Sequence, residues 1–162
     1  MITKEWLKEQ SACKEGYEWS VPRLKTPMND KDFLQALIDD NKLDWANWVI
    51  IRLFNDTQNR RYAIYAAEQV IHIYEKEYPN DNRPRKAIEA AKAYLEDPTL
   101  ANASAWEAAR DAAWEAARAA AWDAARDAAR AAAWDAAWDA ARDAAYNDMI
   151  KKILTYGLTL LE

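Results

Sequence analysis

From residue 105 to residue 145 the chain is written almost wholly in four-residue units. A Trp or Arg is followed by an acid and two alanines, as in WDAARDAARAAAWDAAWDAARDAA at residues 122–145. These 41 positions hold 23 Ala, 5 Trp, 5 Arg and 8 Asp or Glu. Alanine has the highest helix propensity, and nothing in the tract breaks a helix. Acids precede arginines by three at Glu107–Arg110, Glu115–Arg118, Asp123–Arg126, Asp127–Arg130 and Asp139–Arg142. Each such pair supports a helix by about 0.2–0.5 kcal/mol. The tract is predicted to be helical.

Its period sets a geometric problem. Four residues overshoot a turn of about 3.6 by roughly 40°, so the large side chains wind around the helix. With Trp106 at zero, Trp114 and Trp122 fall near about 80° and 160°, and Trp134 and Trp138 near about 280° and 320°. No single flat partner buries them all. The tract is either one long helix, continuous or bent, that meets successive neighbours, or a hairpin broken near 119–121 or 131–133. Unbroken, it would be about 60 Å long. The preferred reading packs the Trp residues into gaps left by the alanines. The functional reading is an exposed ladder that grips a partner through Trp106, Trp114, Trp122, Trp134 and Trp138. Asp111 and Asp135, which lack an Arg three residues on, complete that candidate surface.

The rest of the chain also reads as helix. Two glycines and five prolines, none after Pro98, leave too little turn chemistry for a sheet protein of 162 residues. Thr3 precedes a short helix with Gly16 as its stop, and Pro22 and Pro27 mark an irregular stretch over Tyr17–Met28. Asn29 or Asp30 caps a helix with Phe33, Leu34, Leu37 and Ile38 on one face. Asp44 is expected to cap a third helix, WANWVIIRLF, apolar enough to be largely buried. A fourth, from about Gln58 to Tyr78, turns Tyr62, Tyr65, Ala66, Val70, Ile73 and Tyr74 inward. Pro84 opens a fifth, with Ala87, Ile88, Ala91, Tyr94 and Leu95 inward. Ser104 and Glu107 form a capping box before the repeat. After Tyr146, the residues Met149, Ile150, Ile153, Leu154, Leu158 and Leu161 stripe a core-facing amphipathic helix. The expectation is an all-α helical bundle. Residues 1–28 make an N-terminal helix and Pro-containing linker, and 29–98 a helical body. Residues 99–162 make the repeat helix and C-terminal helix, with 29–162 read as one domain.

Charge and composition narrow the function. With 27 acids against 22 bases the chain is a poor general ligand for nucleic acid or anionic membrane. No apolar run approaches the roughly 20 residues needed to span a bilayer. The start, MITKEWLKEQ, lacks the apolar stretch of a signal peptide, and Cys13 has no internal disulfide partner, so the cytoplasm is the expected address. The lone His72, the two glycines and the lack of a metal-ligand cluster, phosphate loop or nucleophile elbow argue against an enzyme and against any cofactor. The acids recur at a spacing resembling alternate DNA phosphates, but the accompanying arginines favour a solvated, ion-paired face over DNA mimicry. Arg83 and Arg85, flanking Pro84 beside Asp81 and Glu89, are expected to fix the fifth helix through local ion pairs.

Several segments together resemble a known family. They are Leu43-Asp44-Trp45-x-x-Trp48, the helix RYAIYAAEQVIHIYE, the stretch from Asp81 to Ala91 (DNRPRKAIEAA) and the alanine tract. The combination resembles the all-helical, alanine-rich immunity proteins of bacterial polymorphic-toxin systems, over about residues 30–146. ACKEGYEW also looks like an N-terminal module of bacterial and phage proteins. The family resemblance implies a non-enzymatic inhibitor that binds one specific protein, a toxin or a defence component, as an immunity protein or a phage-borne antagonist. The alternative is a structural protein that forms homo-oligomers through its Ala/Trp helix.

Overall fold

The computed structural model describes the backbone of residues 1–113 and 136–161, and the side chains of these except 136–143. The fold is all-α. The helices are α1 (Lys4–Glu9), α2 (Lys14–Ser20), α3 (Asp30–Asp39), α4 (Leu43–Leu53), α5 (Asp56–Glu77), α6 (Arg83–Glu96), α7 (residues 100–113) and α8 (Ala136–Thr159). Among the described residues the β structure is one isolated bridge, in which Ile2 and Met28 exchange backbone hydrogen bonds of 2.8 and 3.0 Å. The chain divides into two compact units, residues 1–55 with 150–162, and residues 56–149. The formal charge divides with them. Residues 56–149 carry 12 Lys or Arg and 17 Asp or Glu, and the remainder carries 10 of each.

In the first unit, short helices are closed by backbone geometry rather than by glycine. Thr3 caps α1 by accepting from the Trp6 N–H. The helix then stops at Ser11, held at φ 58°. Ser11 N–H donates to the Lys8 carbonyl and Ala12 N–H to the Leu7 carbonyl, the paired closure that satisfies the last orphan carbonyls of a helix. Asn41, at φ 55°, ends α3 in the same way through Ile38 and Leu37. Gly16 is therefore no stop: it lies inside α2, whose first turn is capped by the Cys13 sulfur. The irregular stretch begins at residue 21 instead of Tyr17.

Asn29 caps α3, and Phe33, Leu34 and Leu37 are buried along its apolar face. Asp44 does not cap α4. The cap position falls to Lys42, which forms no side-chain bond there, and Asp44 sits in the first turn, where its charge favours the helix dipole. Nor is α4 buried all round. Leu43, Ala46, Val49 and Ile50 form one buried stripe packed on α3, while Ile51 is 40% exposed. Ile153 and Leu154 of α8 are buried, as the C-terminal stripe predicts.

In the second unit α5 and α6 form an antiparallel hairpin. Glu68 pairs with Lys92 and Glu75 with Arg85, so a step of seven residues on one helix matches seven on the other. Tyr62, Ile71 and Ile88 are buried. The predicted inner side of α5 is displaced: Val70 and Ile73 are 42% and 61% exposed, and His72 is exposed too. Pro84 occupies the first turn of α6. At the corner, Asp81 accepts from the Tyr74 hydroxyl at 2.8 Å and from the Arg83 backbone and guanidinium. Arg83 thus makes its expected local pair. Arg85 bypasses Glu89 and reaches back to α5. The capping box at Ser104 is displaced as well, because α7 starts earlier: Thr99 Oγ1 accepts from the Asn102 N–H, and Ser104 lies within the helix.

Candidate docking groove

Alanines make the groove. Ala63 and Ala67 on α5 and Ala87 and Ala91 on α6 are each one helical turn apart, and together they leave a trough of about 360 Å³ between the helices. Ile64 and Ile88 supply its apolar walls. One end is built by aromatics. Tyr94 of α6 and Trp106 of α7 stack with ring centroids 5.5 Å apart and planes inclined by 15°. Over both rings lies the Arg60 guanidinium, 5.0 Å from the Tyr94 centroid and 5.8 Å from that of Trp106. Among the described residues Arg60 is the one charged side chain lining the groove, and no carboxylate among them forms an ion pair with it. Stacking of this kind contributes about 0.5–1.5 kcal/mol beyond simple burial, so the aromatic end is a stable feature of the unbound chain.

The other unit holds a smaller cavity, about 230 Å³, lined by Leu7, Phe33, Leu37, Val49 and the indoles of Trp45 and Trp48. There each indole already carries a cation of the same chain: Lys42 lies over Trp45 and Arg52 over Trp48. Trp19 is treated likewise by Arg23, while Asp40 accepts from both the Trp19 indole N–H and the Arg23 guanidinium. These contacts are intramolecular and structural in character.

Of the surface expected from the repeat, Trp106 is half-buried against Tyr94 and forms the wall of the groove. Asp111 is exposed and receives Arg110 at 3.1 Å, where spacing pairs that arginine with Glu107. Trp114, Trp122, Trp134 and Asp135 lie outside the described residues, as do the tract positions where a break is expected. Trp138 lies on α8, with its side chain outside the described set. Reading along the chain missed Arg60 and Tyr94 as neighbours of Trp106. The one local signal for the groove is the pair of Ala-x-x-x-Ala spacings. Among the described residues no three His, Cys, Asp or Glu side chains converge as metal ligands, and no helix is long and apolar enough to cross a membrane.

The architecture defines an all-helical protein of two units, one of which carries a preformed apolar groove with an aromatic and cationic end. Residues 52–146 match the Imm-5 like putative immunity protein family, and the chain belongs to that family. Residues 1–57 match the YdhT N-terminal domain. The two matches meet over residues 52–57, where the structure divides between Asn55 and Asp56. No curated protein and no solved structure matches the chain. Family membership points to an immunity or inhibitor role.

Proposed function

We propose that the chain is a non-enzymatic inhibitor acting in the cytoplasm, which neutralises one toxin or defence protein by binding it stoichiometrically. The observation that carries this reading is a coincidence of place. The family match, residues 52–146, spans nearly all of the unit of residues 56–149, and that unit holds the groove with Tyr94, Trp106 and Arg60 at its end. Aromatic and arginine side chains set beside an apolar concavity are the residue types that dominate binding energy at protein interfaces. Inhibition by binding needs such a surface and no catalytic group.

The test has two stages. The tagged full chain is used to capture a partner from bacterial lysate, and that partner is then expressed alone and together with the chain. Growth arrest by the partner, relief on co-expression and a complex of fixed stoichiometry by light scattering are expected. A captured protein whose effect on growth is unchanged by the chain overturns the reading. Concentration-dependent self-association with no partner replaces it with a self-assembling scaffold.

A further inference from the structure

We propose that the α5–α6 groove seats a helix of the partner protein, which inserts one bulky apolar side chain beside Tyr94 and Trp106 and turns a carboxylate to Arg60. This rests on the inhibitor reading and specifies its chemistry. A trough between two helix axes with a floor of methyl groups accepts a third helix closely, the arrangement by which amphipathic helices dock into apolar grooves. The aromatic end offers large, rigid surface at little entropic cost.

Charge selects the ligand. The unit carries 17 acids against 12 bases, yet the one charged side chain lining its groove among the described residues is a cation. Lys92 and Arg85, cations of α6 that reach α5, are tied to Glu68 and Glu75. Arg60 instead lies over Tyr94 and Trp106, with no carboxylate paired to it among the described residues. A guanidinium beside aromatic rings and tied to no carboxylate among the described residues keeps its planar fork of N–H donors, which matches a carboxylate. The groove is therefore complementary to an apolar anion, and on a partner helix that means a large apolar residue near an Asp or Glu.

The probe is 1-anilinonaphthalene-8-sulfonate, an apolar ring system bearing an anion, titrated into the full chain by fluorescence. Its uncharged relative N-phenyl-1-naphthylamine serves as control. Arg60→Glu is expected to weaken the sulfonate about tenfold or more and the neutral dye little. Ala67→Trp, which fills the trough, is expected to abolish groove binding of both. Ile73→Ser, on the exposed side of α5, should change neither. Far-UV circular dichroism verifies that each variant is folded, and Arg60→Glu carries the test should Ala67→Trp fail to fold. Equal sulfonate affinity in Arg60→Glu and the unmutated chain overturns the proposal. So does undiminished partner capture by variants that have lost the dye. Should the unmutated chain neutralise no partner, the inhibitor reading falls and the docking proposal falls with it, while the dye titration still decides what the groove recognises.

Discussion

Arg85 meets Glu75 edge to edge across ten residues of chain, with Nε to Oε1 and Nη2 to Oε2 both at 2.7 Å. Two parallel bonds of this kind fix orientation as well as proximity. The pair sets the register of α6 on α5, with Lys92–Glu68 two turns further along. Arg85→Ala is expected to lower the melting temperature by a few degrees at most, since both side chains are partly exposed. Arg85→Lys, which keeps the charge and loses the fork, should recover only part of it. A variant as stable as the unmutated chain would show that apolar packing alone holds the hairpin.

Acid should loosen the same hairpin. Hydrogen bonds from Arg83, then from Tyr74, hold the Asp81 carboxyl well below the usual carboxylate range, and the Arg85 fork lowers Glu75. Groups with depressed folded values contribute stability above their unfolded pKa and lose it as pH falls through the folded one. Tyr74→Phe removes one donor to Asp81, so the Asp81 carboxyl should titrate at higher pH. Carboxyl chemical shifts followed by NMR during acid titration measure this directly. An unmoved Asp81 midpoint would mean that Arg83 alone sets its charge.

Alkali acts through Tyr62. Burial raises its phenol from 10.0 to about 12. A raised folded value gives stability that is complete below the unfolded pKa and is lost as pH climbs from about 10 to about 12. Ultraviolet titration should show Tyr62 ionising late, with Tyr74 also delayed by burial and its bond to Asp81, and Tyr62→Phe should flatten the alkaline loss of stability.

Ser11 and Asn41 both close helices in the left-handed region. An L side chain there costs about 1–2 kcal/mol, less for Asn, and glycine avoids the cost. Ser11→Gly is expected to stabilise the first unit by up to about 1 kcal/mol, and Asn41→Gly by less. Urea unfolding tests the order. Destabilisation by Ser11→Gly would mean that unfolded-state entropy outweighs the strain.

Trp106→Ala removes a half-buried indole together with its stack on Tyr94, at an expected cost of about 1–3 kcal/mol. Asp111→Ala removes an exposed carboxylate whose partner is the adjacent Arg110, and should cost less than about 0.5 kcal/mol. Thermal melts of the two variants give the contrast.

Much of the fold was legible because it is local. The Phe33, Leu34 and Leu37 spacing, the Asn29 cap and Pro84 in a first turn each determine their helix without distant help. The inner side of α5 was not. Tyr62, Ala66, Val70 and Ile73 make as good an apolar stripe as Ile64, Ala67 and Ile71, and the choice is settled by α6, which places Lys92 and Arg85 against Glu68 and Glu75. Helix stops at Ser11 and Asn41 escaped notice because paired backbone bonds replace the expected glycine. Of the groove, Ala87, Ile88 and Ala91 read as inward from the sequence, while Ala63 and Ala67 on α5 do not. Its aromatic end was not legible, because Arg60, Tyr94 and Trp106 come from three helices and meet only through tertiary packing.

The cations laid on indoles in the first unit have a consequence for the media this chain tolerates. Dissolved salt screens exposed charges separated by more than about 10 Å at 0.1 M and by more than about 3 Å at 1 M, whereas a guanidinium in face contact with a ring, as Arg52 over Trp48 at 3.8 Å, leaves little room for an intervening ion. The hairpin of residues 56–96, tied by carboxylates, should soften in concentrated sodium chloride. The unit of residues 1–55 should soften less, because Arg23 and Arg52 also lie on indoles. One molecule thus joins a half more sensitive to ionic strength with a half less so, and rising salt will be felt first by the half that carries the apolar groove.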